Sequence, residues 1–280
     1  MKIAITGASG KAGRATVLEF QQHGYDVVPL DIVQAAAGSG PRTLLTDLTD
    51  FGQTVDALAG VDAVVHLANI PAPGIHTAAH TFTTNTAMNS NVFLAAQILG
   101  LKKVVWASSE TTLGLSFSPE NPPKYAPVDE DHFPYPASTY ALSKVAAETL
   151  ATHISGWSGI PFVALRFTNV LTEEDQQSFR EVWADPVKRI WNLWGYVDVR
   201  DAAASCRNAI EAETTGAESF VITAADTAMN RPSLEVLAEH FPDLEIRGKV
   251  EEYGSLLSSA KAIRMLGYAP KYSWRQHLSQ

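Results

Sequence analysis

Tyr140 and Lys144 stand four residues apart in the run Tyr140-Ala141-Leu142-Ser143-Lys144, a spacing that sets both on one face of a helix, one turn apart. A phenol with an unperturbed pKa of about 10 is a poor base near neutrality, and a neighbouring cation stabilises its phenolate and lowers that value. The pair therefore reads as a proton relay in which Tyr140 exchanges a proton with a substrate hydroxyl or carbonyl. A Tyr-x-x-x-Lys pair also arises by coincidence on helix surfaces, so its weight comes from its surroundings. Ser108-Ser109 closes an apolar run over residues 104–107, at the strand end where open α/β sheets bind ligands. A serine hydroxyl there can share the substrate oxygen with the tyrosine.

A second constellation opens the chain. Thr6-Gly7-Ala8-Ser9-Gly10-Lys11-Ala12-Gly13 follows a short apolar run and begins a helical pattern. Gly7, Gly10 and Gly13 let the backbone bend sharply and approach a ligand, while the helix start offers free N–H groups to a pyrophosphate. This reads as a dinucleotide cradle, although glycines also punctuate ordinary turns. Asp31 lies where an acidic residue receives the adenosine ribose hydroxyls. A carboxylate there repels a 2′-phosphate, which favours NAD over NADP, while Lys11 and Arg14 remain possible phosphate partners. Asp47-Leu48 sits where an adenine edge is held, and Asp47 reads equally well as a solvent-exposed turn residue. His76 and His80 have the i, i+4 spacing of a metal pair, but no glutamate or third ligand accompanies them, so no metal site is expected.

Positioning these groups requires a sheet with helices on both faces. Short apolar runs at residues 2–6, 26–30, 43–46, 63–67, 104–108 and 162–165 alternate with helical patterns at 14–23, 85–99 and 138–153. That alternation predicts βαβ units and an α/β, Rossmann-type doubly wound parallel sheet. A late strand is expected at 220–223 and late helices at 233–240 and 258–266. Residues 1–168 then form a dinucleotide-binding domain. Residues 169–280 form mainly a substrate-binding region, with some elements returning to the core. Trp183, Trp191 and Trp194 crowd that region with Lys188 and Arg189. They suit a carbohydrate or carboxylate pocket, and equally a packed flap with solvated cations. His66 reads as the end of a buried strand, Glu110 as a surface-loop residue within reach of a substrate hydroxyl, and Cys206 as inert core.

Composition narrows the classes. The 280 residues are 46% hydrophobic and 18% charged, with a formal charge of −9. This fits a compact globule and argues against a nucleic-acid partner. A single cysteine forms no intrachain disulfide. No apolar run spans a bilayer and no secretory leader is evident, so membrane embedding is not expected and the cytoplasm is.

Taken in order, the motifs resemble those of the extended short-chain dehydrogenases/reductases, the NAD-dependent epimerase/dehydratase family. The resemblance runs through the glycine cradle, Asp31, His66-Leu67-Ala68-Asn69, Asn85, residues 108–114, Tyr140 and Lys144, residues 165–170 and residues 196–201. It implies hydride exchange between substrate and nicotinamide. Tyr140 would be the acid/base, Ser109 its hydroxyl partner and Lys144 the group that orients the relay and holds the nicotinamide ribose. Leu67, Ala68 and Asn85 join the cofactor set by the same resemblance; Asn169 would lie near the substrate, with Glu110 and Arg189 as further contacts. Counting back from Gly114 puts Ser109, not Ser108, at the family's catalytic serine.

Departures matter too. Glu110-Thr111 replaces the Asp-Glu pair of sugar-nucleotide dehydratases, and Leu171-Thr172-Glu173 replaces the usual Tyr-Gly-Pro. In size the chain looks closer to uronate dehydrogenases and other short members that oxidise free sugars. The expected function is NAD-dependent oxidation or reduction at a carbinol carbon of a sugar or sugar acid. The alternatives are epimerisation with retained NAD and a non-catalytic NAD sensor. The resemblance also implies a homodimer.

Overall fold

The computed structural model describes residues 1–34, 42–132 and 136–278. Seven parallel strands build the main sheet: β1 (Lys2–Thr6), β2 (Asp26–Asp31), β3 (Leu44–Leu45), β4 (Ala63–His66), β5 (Lys103–Ser109), β6 (Phe162–Phe167) and β7 (Ala217–Ile222). Their spatial order is β3-β2-β1-β4-β5-β6-β7. The chain winds outward one way from β1, then returns to β4 and winds the other way. That reversal leaves a crevice at the carboxyl ends of β1 and β4.

The strands read as almost unbroken apolar runs because both faces are covered. Ile3, Ile5, Val65, Val105, Val163 and Leu165 pack on one side with Val17 and Phe20 of α1 (Lys11–Gln22). The alternate residues Ala4, Val64, Val104, Trp106 and Ala164 pack on the other. There they meet α2 (Phe51–Leu58), α3 (Ala78–Leu99) and α4 (Thr139–Ser158). Beyond β6, α5 (Val199–Glu211) joins the α1 face through Ala202, Cys206 and Ala209, and β7 pairs with β6 from Ala217–Phe162 to Ile222–Phe167. Part of the chain after residue 168 thus lies in the sheet layer. The helices α6 (Ser233–His240) and α7 (Ala260–Leu266) follow β7.

A third apolar cluster holds the remaining C-terminal segments and includes Leu113, Phe179, Trp194, Tyr196 and Trp274. Trp194 is fully buried with its indole N–H on the Pro186 carbonyl, and the Trp183 indole donates to the Ala228 carbonyl. For these two tryptophans the packed-flap reading prevails. Trp191 alone of the three borders the large cavity described below. No helix among the described residues is long and apolar enough to cross a membrane.

Several boundaries move outward from their sequence expectation. α3 begins at Ala78, seven residues before Asn85, and α4 runs on to Ser158. β6 extends to Phe167 and β7 begins at Ala217, whereas β3 shrinks to Leu44–Leu45 at the sheet edge.

Candidate active site

The crevice at the switch point is a cavity of about 1320 Å³, roomier than the roughly 300–1,000 Å³ of a site for one small ligand. Gly7, Gly10, Lys11, Gly13, Asp31, Leu48, Leu67 and Ala68 line one part of it. Ser109, Glu110, Tyr140 and Asn169 line another.

The cradle is built by contacts that exclude a side chain. Gly7 has φ +66°, and a Cβ there would lie 2.7 Å from the Ala68 nitrogen. A Cβ on Gly13 would lie 2.0 Å from the Gly7 carbonyl oxygen. β1, β4 and the start of α1 are thereby pressed together. Gly10 is the residue before α1 and offers no side chain to cap it, so the first-turn N–H groups stay available to an anion.

The floor between β1 and β4 is polar and hydrogen-bonded from Thr6 through His66 to Asn89. The Thr6 hydroxyl oxygen accepts from the backbone N–H of Leu67 and of Ala68, both at 3.1 Å. It therefore donates its own proton to His66 Nδ1 at 2.7 Å, and Nε2 carries the ring proton toward Asn89 Oδ1 at 3.1 Å. Burial drives the His66 pKa down to about 3, so the ring is neutral and serves the scaffold.

Asp31 takes the Ser9 N–H at 2.9 Å on one oxygen and the Ile32 N–H at 2.7 Å on the other. The Val33 N–H adds a third bond at 3.3 Å; with about four acceptor sites on a carboxylate, capacity for one hydroxyl donor remains. Lys11 reaches the carboxylate of Asp175 at 2.5 Å, so its charge is already compensated. Two expected cofactor contacts stand elsewhere. Asp47 is exposed and accepts from the Thr49 N–H at 2.9 Å and hydroxyl at 2.7 Å; its turn reading prevails, because the short acceptor side chain closes its own loop. Asn85 is buried and spends both ends of its amide on the Ile70 backbone, at 2.9 and 3.2 Å. It is a strut for the loop after β4.

Of the residues expected to form a relay, Ser109 and Tyr140 lie in the opposite wall. The Ser138 hydroxyl caps α4 by accepting from the Ala141 N–H at 3.1 Å, worth about 1 kcal/mol, and fixes where Tyr140 and Lys144 emerge. Lys144 is 1% exposed, with Nζ donating to the Ala107 carbonyl at 2.6 Å and 5.6 Å from the Tyr140 ring centre. The electrostatics differ from the sequence expectation. Burial raises the Tyr140 pKa, with the hydrogen-bonding side chains of Ser109 and Asn69 pulling it back and Glu110 pushing it further up. Burial also lowers Lys144 itself, to about 7. The ammonium does not dominate because it is as desolvated as the phenol it was expected to acidify.

Glu110 corrects a second expectation. It is 3% exposed, the reverse of a surface-loop residue. Its carboxyl oxygens face the Asn192 amide at 3.3 and 3.4 Å, and desolvation pushes its pKa up to about 8, with Asn192, Arg189 and the Asn169 backbone opposing. Arg189 stands behind this carboxyl, donating to Asn169 Oδ1 at 3.3 Å and to the Gly195 carbonyl at 2.6 Å. Asn69 and Asn192 were not singled out from the sequence. Asn69 ends the run His66-Leu67-Ala68-Asn69 that carries part of the resemblance, a signal that could have found it; Asn192 carried none. His76 and His80 face each other with ring centres 4.9 Å apart, and no cluster of three or more potential metal ligands occurs among the described residues.

A doubly wound sheet with a glycine cradle at its switch point, Ser109 and Tyr140 across the same cavity and Lys144 buried one turn behind Tyr140 fits one class: the extended short-chain dehydrogenases/reductases. The sequence profile of the NAD dependent epimerase/dehydratase family matches residues 3–222, and the chain belongs to that family. Its class is that of NAD-dependent dehydrogenases and epimerases. It is similar to the L-arabinose 1-dehydrogenase (NAD(P)(+)) of Haloferax volcanii, 26% identical over 75% of this chain and 83% of the relative. It is also similar to a UDP-glucose 4-epimerase of Lacticaseibacillus casei, 30% identical over 61% of this chain, a match that spans about half (52%) of that relative's length. In fold it resembles a short-chain dehydrogenase/reductase superfamily protein from Agrobacterium tumefaciens with bound NAD, with a TM-score of 0.73, 22% identity, and coverage of 99% of this chain and 94% of the other.

Proposed function

We propose that the chain is an NAD-dependent dehydrogenase acting on a carbinol carbon of a free sugar or sugar acid, with Tyr140 as the proton-transferring group. The carrying observation is that Tyr140 and Ser109 line the same cavity as the cradle. The similarity to an arabinose dehydrogenase supports a sugar substrate.

The residues present fit a dinucleotide: Gly7 and Gly13 let β1, the chain after β4 and the start of α1 close together where a Cβ would meet backbone, α1 offers its uncapped N–H groups, and Asp31 lines the cavity with a carboxylate able to accept from a ribose hydroxyl. Asp31 at the cavity wall also favours NAD over NADP, since a 2′-phosphate would meet its carboxylate, and the one nearby lysine is engaged with Asp175. Bound NAD supplies the hydride acceptor and a positively charged ring. Ser109 shares the substrate oxygen and Tyr140 exchanges its proton. With its pKa raised, Tyr140 holds that proton near neutrality, so it is poised to donate to a carbonyl oxygen, and oxidation runs faster as pH rises. Lys144 anchors the relay to β5 through the Ala107 carbonyl. Glu110 and Asn169 form the substrate side, and Arg189, expected there as well, supports them from behind through Asn169 Oδ1.

The similarity to an epimerase supports a second reading, in which the oxidised intermediate is reduced again on its other face without cofactor release. The experiment is a screen of aldoses, uronates and nucleotide sugars with NAD and with NADP, followed by reduced-nicotinamide absorbance. Free NADH in proportion to sugar consumed is expected; isomer interconversion without it would replace the dehydrogenase reading. Tyr140→Phe should cut turnover by roughly 10²–10⁴-fold with NAD affinity kept. Unchanged function in that variant would favour a non-catalytic NAD sensor.

A further inference from the structure

Ser108 lies between the two β5 residues that serve the relay, and its hydroxyl serves neither. It donates to Glu148 Oε1 at 2.6 Å. Glu148 also accepts Arg166 Nε at 3.0 Å on the same oxygen and Arg166 Nη2 at 2.8 Å on the other. Arg166 sits on β6 and donates in addition to the Glu130 carbonyl at 3.3 Å. On α4, Tyr140, Lys144 and Glu148 succeed one another at single-turn intervals. At the end of β5 the Ala107 carbonyl meets Lys144 and Ser108 meets Glu148, while Ser109 lines the same cavity as Tyr140.

We propose that Glu148 is a positioning residue of the relay. By bridging Ser108 and Arg166 it fixes the rotation of α4 that seats Lys144 on the Ala107 carbonyl and Tyr140 beside Ser109, and it keeps a negative charge one turn from the Lys144 ammonium. The inference rests on the relay reading given above.

The alternatives for that charge are few. Lys144 faces Tyr140 and Glu148 on its own helix and the neutral His66 at the end of β4. The end of β5 presents the Trp106 ring and a carbonyl. α3 has a single titratable side chain, His80, in its first turn. Arg166 lies beyond Glu148 on β6. The side chains of Glu148 and Arg166 are 19% and 9% exposed, so water screens them little. Glu148 is the one group that opposes the burial-driven fall of the Lys144 pKa.

The test reads the Lys144 amine directly, by NMR of protein carrying ¹³Cε-labelled lysine, with the resonance assigned by its loss in Lys144→Arg. In Glu148→Gln the titration midpoint should fall by about one pH unit, the lower end of what a facing charge does. In Arg166→Gln it should rise, because the Glu148 charge is then uncompensated. Glu148→Asp should restore it. With a sugar that the wild type turns over, the alkaline limb of the rate profile should move with the midpoint. An unmoved midpoint in Glu148→Gln overturns the proposal, as do shifts of the same sign in both variants, which mark general loosening. If Glu148→Gln fails to fold, Arg166→Gln decides by its sign: a rise supports the proposal and its absence overturns it. Tyr140→Phe separates the two readings. Turnover in that variant sinks the relay itself, whereas its loss beside an unmoved Lys144 midpoint sinks only the role of Glu148.

Discussion

The Thr6 hydroxyl and His66 Nδ1 meet at 2.7 Å across the seam between β1 and β4, directly beneath the backbone that the cradle approaches. One oxygen thereby ties the ring to the N–H groups of Leu67 and Ala68. Thr6→Val keeps the shape and leaves those groups short of a partner, so it should cost about 1–3 kcal/mol in urea denaturation. It should also weaken NAD binding by several-fold in a fluorescence titration, since Leu67 and Ala68 line the cavity. Thr6→Ser, which retains the hydroxyl, should stay near wild type in both measurements. Equal effects from the two substitutions would remove the hydrogen bonds from the explanation.

The same substitution should have opposite signs at two glycines. Gly13→Ala sets a methyl 2.0 Å from the Gly7 carbonyl oxygen, a backbone atom that moves only if the cradle opens. NAD binding should be lost in calorimetry, with a drop in melting temperature. Gly156 lies exposed in α4, and a Cβ there meets nothing within 4 Å. Gly156→Ala should stabilise by up to about 1 kcal/mol through helix propensity and leave NAD binding unchanged.

The strands were legible because burial on both faces writes itself as β-branched and apolar runs, such as Val64-Val65 and Val104-Val105. The cradle was legible because close backbone approach leaves glycine as its mark. What escaped was set by distant chain. The first turns of α3 carry several threonines, weak helix formers, so the sequence pattern marks the helix only from Asn85, whereas it begins at Ala78. α2 leaves little trace in the sequence, since eight residues with a glycine near the start give little periodicity, although Asp50 caps it by accepting the Gln53 N–H at 2.9 Å. The spacing of Tyr140 and Lys144 was visible. The sign of their pKa shifts was not, because desolvation depends on β5 and the cavity walls. Glu110 looked like a loop charge because Asn192 and Asn169, which enclose it, lie far along the chain.

Burial of Glu110 has a consequence for stability. Its pKa rises from an ordinary 4.5 to about 8 in the folded protein, so the native state holds that proton more tightly than the unfolded chain does. Its contribution is complete below the ordinary carboxylate range and is lost as pH rises through about 8. Wild-type stability should therefore decline over that interval relative to Glu110→Gln, which presents a neutral amide at every pH. Paired urea denaturations at pH 5, 7 and 9 read the difference. The variant should gain on the wild type from about pH 5 to pH 9, and parallel curves would mean that the Glu110 carboxyl ionises as freely in the folded protein as in water. The same ionisation puts a negative charge beside Tyr140, which raises the phenol further. In Glu110→Gln the pH at which Tyr140 gives up its proton should therefore move down, and the ascending limb of sugar oxidation with it.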